Sequence, residues 1–117
     1  MIKSDPVLAK IAKPIWNEFC RIYPKLNEFE MPVFRFDGRI KMLAYTYPTE
    51  NVIRISKGWW IDCEALYRSD IIAHEIAHQA AHNLYGEQKE NTGHTVLWAE
   101  MMLNLGLDPL THYEVIK

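Results

Sequence analysis

The chain has 117 residues, 49 % of them hydrophobic and 24 % charged, with a formal net charge of −2. These values describe one folded domain over residues 1–117 and exclude a disordered chain, and near-neutrality gives no broad pull toward nucleic acid. Cys20 and Cys63 form no C-x-x-C pair, no run approaches the ~20 apolar residues of a membrane span, and the amino terminus lacks a signal-peptide apolar run; a cytoplasmic protein without membrane contact is the expectation.

Ser4-Asp5-Pro6 reads as a helix start, with a capping side chain ahead of a proline at the first turn. Val7, Leu8, Ile11, Ala12, Ile15, Trp16, Phe19, Cys20 and Tyr23 then recur at helical spacing. Pro14 predicts a kink or a division into two helices, and Pro24 ends the segment. Strand signals follow at Met31–Phe36, Ile40–Tyr47 and Val52–Ile55, separated by Asp37-Gly38 and by Pro48–Asn51. Turns this short predict a three-stranded antiparallel meander. Lys57–Trp60 leaves the sheet. A helix is predicted from Ser69 or Asp70 to about Leu84, with Gly86 near its end. A polar loop covers Tyr85–Gly93. The last helix is predicted from His94 to Gly106 with a stripe of Leu97, Met101 and Leu105, and a short turn in Leu110–Lys117. The fold class is α+β.

The segment Ile72-Ala73-His74-Glu75-Ile76-Ala77-His78 carries an H-E-x-x-H motif. Residues four apart lie above one another on a helix face, so two imidazoles can each offer a nitrogen to one Zn²⁺. Glu75 stands one step round, beside the ion, where a carboxylate can move a proton between water and a leaving amine. Ile71, Ile72, Ile76, Ala80 and Leu84 supply an apolar anchor for that helix.

A catalytic zinc needs a third protein ligand and an open fourth position. His82 continues the four-residue series, but it stands about 12 Å further along the helix and about 80° round from His74. The metzincin continuation fails, because Ala81 and Leu84 occupy its Gly and His positions. His94, behind Gly93 and at the start of the next helix, is the favoured third ligand; Glu100 is the alternative. Tyr45, Tyr47, Tyr85, His112 and Tyr113 are candidates for an oxyanion stabiliser, and sequence does not choose among them. Trp59 and Trp60 read first as core aromatics and second as cleft lining.

With Gly93-His94, Trp98 and Leu105-Gly106 beside the His74–His78 motif, the chain resembles the SprT-like metalloprotease domain. The order of a long helix, a three-stranded meander and the motif helix fits as well. The resemblance covers most of the chain, and its specific part is residues 71–106. It implies a zincin-like fold, zinc held by His74, His78 and His94, Glu75 as catalytic acid/base, and a protein or peptide substrate. Thr95 departs from the family's second glycine, and the paired-cysteine zinc module of many members is missing from this sequence. The length suits a minimal catalytic core of bacterial or phage type. Eukaryotic relatives cleave proteins crosslinked to DNA, so the resemblance also implies single-stranded DNA as a candidate partner.

Two rival readings follow from the same residues. One is a zinc amidase other than a protease; peptide deformylases carry H-E-x-x-H with a cysteine ligand, and Cys63 is the cysteine nearest the motif. The other is a non-catalytic zinc-containing binding module, against which Glu75 argues, because a structural site does not need it.

Overall fold

A computed structural model of the protein describes residues 3–38, 43–86 and 96–107. His94, Gly93, Thr95, the segment 87–92, His112, Tyr113 and the 110–117 tail lie outside the described residues. So do Ile40–Met42, the first part of the second predicted strand.

Helix α1 spans Pro6–Ile22. Asp5 caps it, its Oδ1 accepting from the backbone N–H of Val7 at 2.9 Å and of Leu8 at 3.3 Å. Leu8, Ala12, Trp16, Phe19 and Cys20 form the buried stripe. The expected break at Pro14 does not divide the helix, which is one element with Pro14 inside it. Lys10, whose carbonyl Pro14 cannot serve, and Pro14 itself are both exposed, so water can reach the unbonded group. Full burial of Leu8 and Phe19, at about 1.5–3 kcal/mol each, offsets the ~3 kcal/mol that an interior proline costs.

Among the described residues three strands make the sheet: β1, Val33–Asp37; β2, Ala44–Tyr47; and β3, Val52–Ser56. Their order is β1-β3-β2. The antiparallel meander is therefore corrected to a mixed sheet. β2 and β3 pair antiparallel, Ala44 opposite Ile55 and Tyr47 opposite Val52. β1 pairs with β3 in parallel, from Val33 opposite Val52 to Asp37 opposite Ser56. The chain does reverse after each strand, but β3 inserts between the other two. The connection from β1 to β3 is the whole of residues 38–51, long enough for the roughly dozen-residue crossover that parallel neighbours need. The central place suits β3, in which Val52, Ile53 and Ile55 are all buried. Asn51 closes the β2–β3 turn in the left-handed region, at φ 58°, where asparagine is tolerated better than most residues. At the outer edge of β1, Phe34 donates to Ser4 Oγ at 3.0 Å and accepts from the Asp5 N–H at 2.7 Å. The cap of α1 is thus stitched to the sheet.

After β3 comes a short helix that the sequence reading did not separate, α2, Lys57–Asp62. The motif helix α3 then runs Ala65–Tyr85, beginning about a turn earlier than predicted. Its start is set by extended backbone at Cys63 and Glu64; nothing in Ala65–Arg68 breaks a helix. Arg68 locks the corner, its guanidinium 4.7 Å over the Trp60 ring and its Nη2 donating to the Trp60 carbonyl at 2.7 Å. Residues 71–77 of α3 are all buried, because the helix is covered by α1, by β2 and by a further helix, α4, Val96–Asn104. In α4 the inward side chains are Trp98, Met101 and Met102, with Leu105 half-buried beyond its end. α4 closes in a Schellman turn. Leu107 donates to the Met102 carbonyl and Gly106 to that of Leu103, both at 2.9 Å, with Gly106 at φ 77°. No helix among the described residues is long and apolar enough to cross a membrane.

Candidate metal centre

The buried middle of α3 carries His74, Glu75 and His78, whose ligand atoms all lie within 4.8 Å of one another. Among the described residues this is the one group of three or more such side chains. His74 is 3 % and Glu75 6 % exposed, and His78 is half-buried. The Nε2 atoms of the two histidines are 3.2 Å apart. Two nitrogens, each about 2.0–2.1 Å from one ion and at a tetrahedral angle, stand about 3.3–3.4 Å apart. The donor set thus suits a zinc-like ion without rearrangement of the helix. Glu75 Oε2 is 3.7 Å from His74 Nε2, beside the paired nitrogens rather than between them.

Two residues that the sequence reading did not assign to the site hold this arrangement. Thr46, buried on β2, donates from Oγ1 to Glu75 Oε1 at 2.7 Å and also lies 3.1 Å from the Glu75 carbonyl oxygen. A hydroxyl has one proton, so the shorter contact to the carboxylate is the one it serves when Glu75 is ionised. The signal was present in the sequence: strand alternation puts Thr46 on the face opposite Tyr45 and Tyr47, as a polar residue directed inward. Trp98, on α4, stacks on the His78 ring at 5.3 Å and 12°, and meets the His74 ring edge-on at 4.7 Å. Its Nε1 donates to the His74 carbonyl at 3.2 Å. One indole therefore fixes both imidazoles and shields one side of the pair from water. Trp98 entered the sequence reading only as part of a motif.

The remaining candidates separate clearly. His82 is half-buried on α3 and lies outside the three-residue group, as its rise and rotation require. Cys63 precedes α3 and is also outside it, its Sγ donating to the Glu64 carbonyl. Glu100 is exposed on α4. Tyr45 is exposed and packs edge-on against the half-buried Tyr47 at 4.8 Å; Tyr85 is exposed near the end of α3. Trp60 is buried and Trp59 packs against the core. No family model matches the chain, and no curated protein matches it either.

Proposed function

We propose that this protein is a zinc-dependent metallopeptidase of the SprT-like kind, with His74, His78 and His94 as ligands and Glu75 as general base and acid. The observation that carries the reading is the 3.2 Å approach of the His74 and His78 Nε2 atoms with the Glu75 carboxylate beside them. Zinc, when bound, polarises a carbonyl and makes water ionisable near neutral pH. Glu75 accepts the proton from water and returns it to the departing amine. Thr46 holds Oε1, and Oε2, on the side of the His74 Nε2, carries that proton. Trp98 keeps the histidine rings in place through the cycle.

A peptide substrate is favoured by the neighbouring strand. Among the described residues β2 pairs on one side only, with β3. An extended chain can add to such an edge through backbone hydrogen bonds, and Thr46 links that edge directly to Glu75. Proteins associated with single-stranded DNA remain a substrate class to test within this reading.

The test is the metal content and proteolysis of four proteins: wild type, Glu75→Gln, His78→Ala and His94→Ala. One zinc per chain is expected in the first two and much less in the others. Cleavage of an unfolded protein such as casein, with and without single-stranded DNA, is expected from wild type alone. Zinc retained in full by His94→Ala would remove His94 from the ligand set. Zinc-loaded wild type that cleaves nothing under either condition would leave a binding module.

A further inference from the structure

One helical turn beyond Glu75, roughly 6 Å along the same face of α3, lies an open cleft of about 480 Å³. Gln79 forms part of its wall, with Asn83, Asn51, Phe29 and the carboxylates Glu28 and Glu30. Gln79 is 1 % exposed. Its Nε2 donates to the Pro48 carbonyl at 3.0 Å and to Asn83 Oδ1 at 2.9 Å, both from cleft residues. Among the described residues its Oε1 has no hydrogen-bond partner, and neither has Asn83 Nδ2 or Asn51 Oδ1. Buried polar atoms without partners are rare and destabilising. Here three of them fall in the wall of one cleft.

We propose that this cleft binds an arginine side chain of the peptide acted on at the neighbouring His74–Glu75–His78 group, a step that rests on the peptidase reading. The wall is rich in acceptors: two exposed carboxylates at its surface, with two unpaired amide oxygens buried just behind it. Among the described residues no lysine or arginine lines it, and His82 is the one basic side chain there. Glu28 and Glu30 form no ion pair among the described residues. A guanidinium brings five donors in a plane, whereas an ammonium brings three around a point. Phe29 is 37 % exposed and offers a ring face on which a guanidinium can stack. The last two turns of α3 face the cleft, and the carbonyl end of a helix favours positive charge. A divalent cation is disfavoured, because the one group of three potential ligands among the described residues lies at the histidines. The path is also continuous. Pro48, which bonds Gln79, lies two residues after Thr46, so a chain laid along β2 beside Glu75 reaches the cleft within about 7 Å.

The experiment uses the full-length, zinc-loaded Glu75→Gln protein titrated with N-acetyl-arginine amide, followed by amide chemical shifts. Saturable shifts centred on the cleft are expected. N-acetyl-citrulline amide, equal in shape but uncharged, should bind at least tenfold more weakly, and so should the arginine amide to an E28Q/E30Q double variant. Both glutamates are exposed, so that variant should fold, with zinc content unchanged. Equal binding of citrulline and arginine, or full binding by the double variant, overturns the proposal. Cleavage by the otherwise wild-type protein, with Glu75 intact, separates this failure from that of the peptidase reading. Peptides cleaved without regard to arginine sink the cleft assignment alone. Arginine amide bound in the cleft by a protein that cleaves nothing keeps the cleft as an arginine site but removes the peptide-substrate role proposed for it.

Discussion

The hydroxyl of Thr46 lies 2.7 Å from Oε1 of Glu75, across a sequence separation of 29 residues. That contact joins the edge strand β2 to the motif helix at the carboxylate itself. It occupies one oxygen of Glu75 and fixes the rotation of the other.

Replacing Thr46 by valine keeps the shape and removes the donor. A hydrogen bond to a charged group is worth about 1.5–3 kcal/mol, so turnover should fall roughly ten- to a hundredfold. KM and zinc content should hold, since neither the ligands nor the outer edge of β2 changes. Thr46→Ser should restore most of the rate. A valine variant with unchanged kcat would show that Glu75 needs no fixed orientation.

Trp98 is the second test. Trp98→Phe keeps a ring beside His78 but deletes the donor to the His74 carbonyl, and about 1 kcal/mol of stability should go with it. Trp98→Ala should cost about 3–5 kcal/mol and weaken zinc binding, because both imidazoles lose their shared wall. Urea denaturation with and without zinc separates the two effects. An alanine variant as stable as wild type would contradict the packing of α4 on α3.

The part of this arrangement that sequence discloses is the part governed by one helix. Four-residue spacing alone brings His74 and His78 together, and the same geometry excludes His82. Asp5 as a cap was legible because the bond spans two or three residues. Contacts between elements were not. The turns fix the direction of each strand but not its neighbour, so the parallel pairing of β1 with β3 was read as a meander. Thr46 and Trp98 reach the motif from 29 and 24 residues away, and no local pattern carries such a distance. The early start of α3 was missed because Ser69-Asp70 resembles a cap, whereas the true break is the extended pair Cys63-Glu64.

The two thiols yield a prediction with a definite sign. Burial raises the pKa of Cys20 above the ordinary 9.0, opposed by Lys13; burial raises that of Cys63 too, opposed by Arg68. Both are therefore neutral and slow to alkylate at pH 7. Iodoacetamide should modify the half-buried Cys63 before the buried Cys20. The folded pKa stands above the unfolded one, so the stability linked to the neutral thiols is present up to the unfolded value. It is lost as pH rises through the folded values, above 9.0. Denaturation midpoints should fall in that alkaline range, and less so in Cys20→Ala. Rapid labelling of Cys20 at pH 7 would mean that α1 opens from the core.

Zinc itself should stabilise the fold, since the imidazoles come together only in the folded helix. At a free zinc concentration a hundred times Kd, the linked stabilisation is about 2.7 kcal/mol, which raises Tm by several degrees. His82→Ala should keep that increment in full, because the residue stands outside the ligand group. His78→Ala should abolish it while leaving the apo protein folded, His78 being only half-buried. Thermal melts of the three proteins at matched zinc decide the matter. An increment lost in His82→Ala and kept in His78→Ala would move the metal one turn down α3, away from Glu75, and the peptidase reading would lose its base.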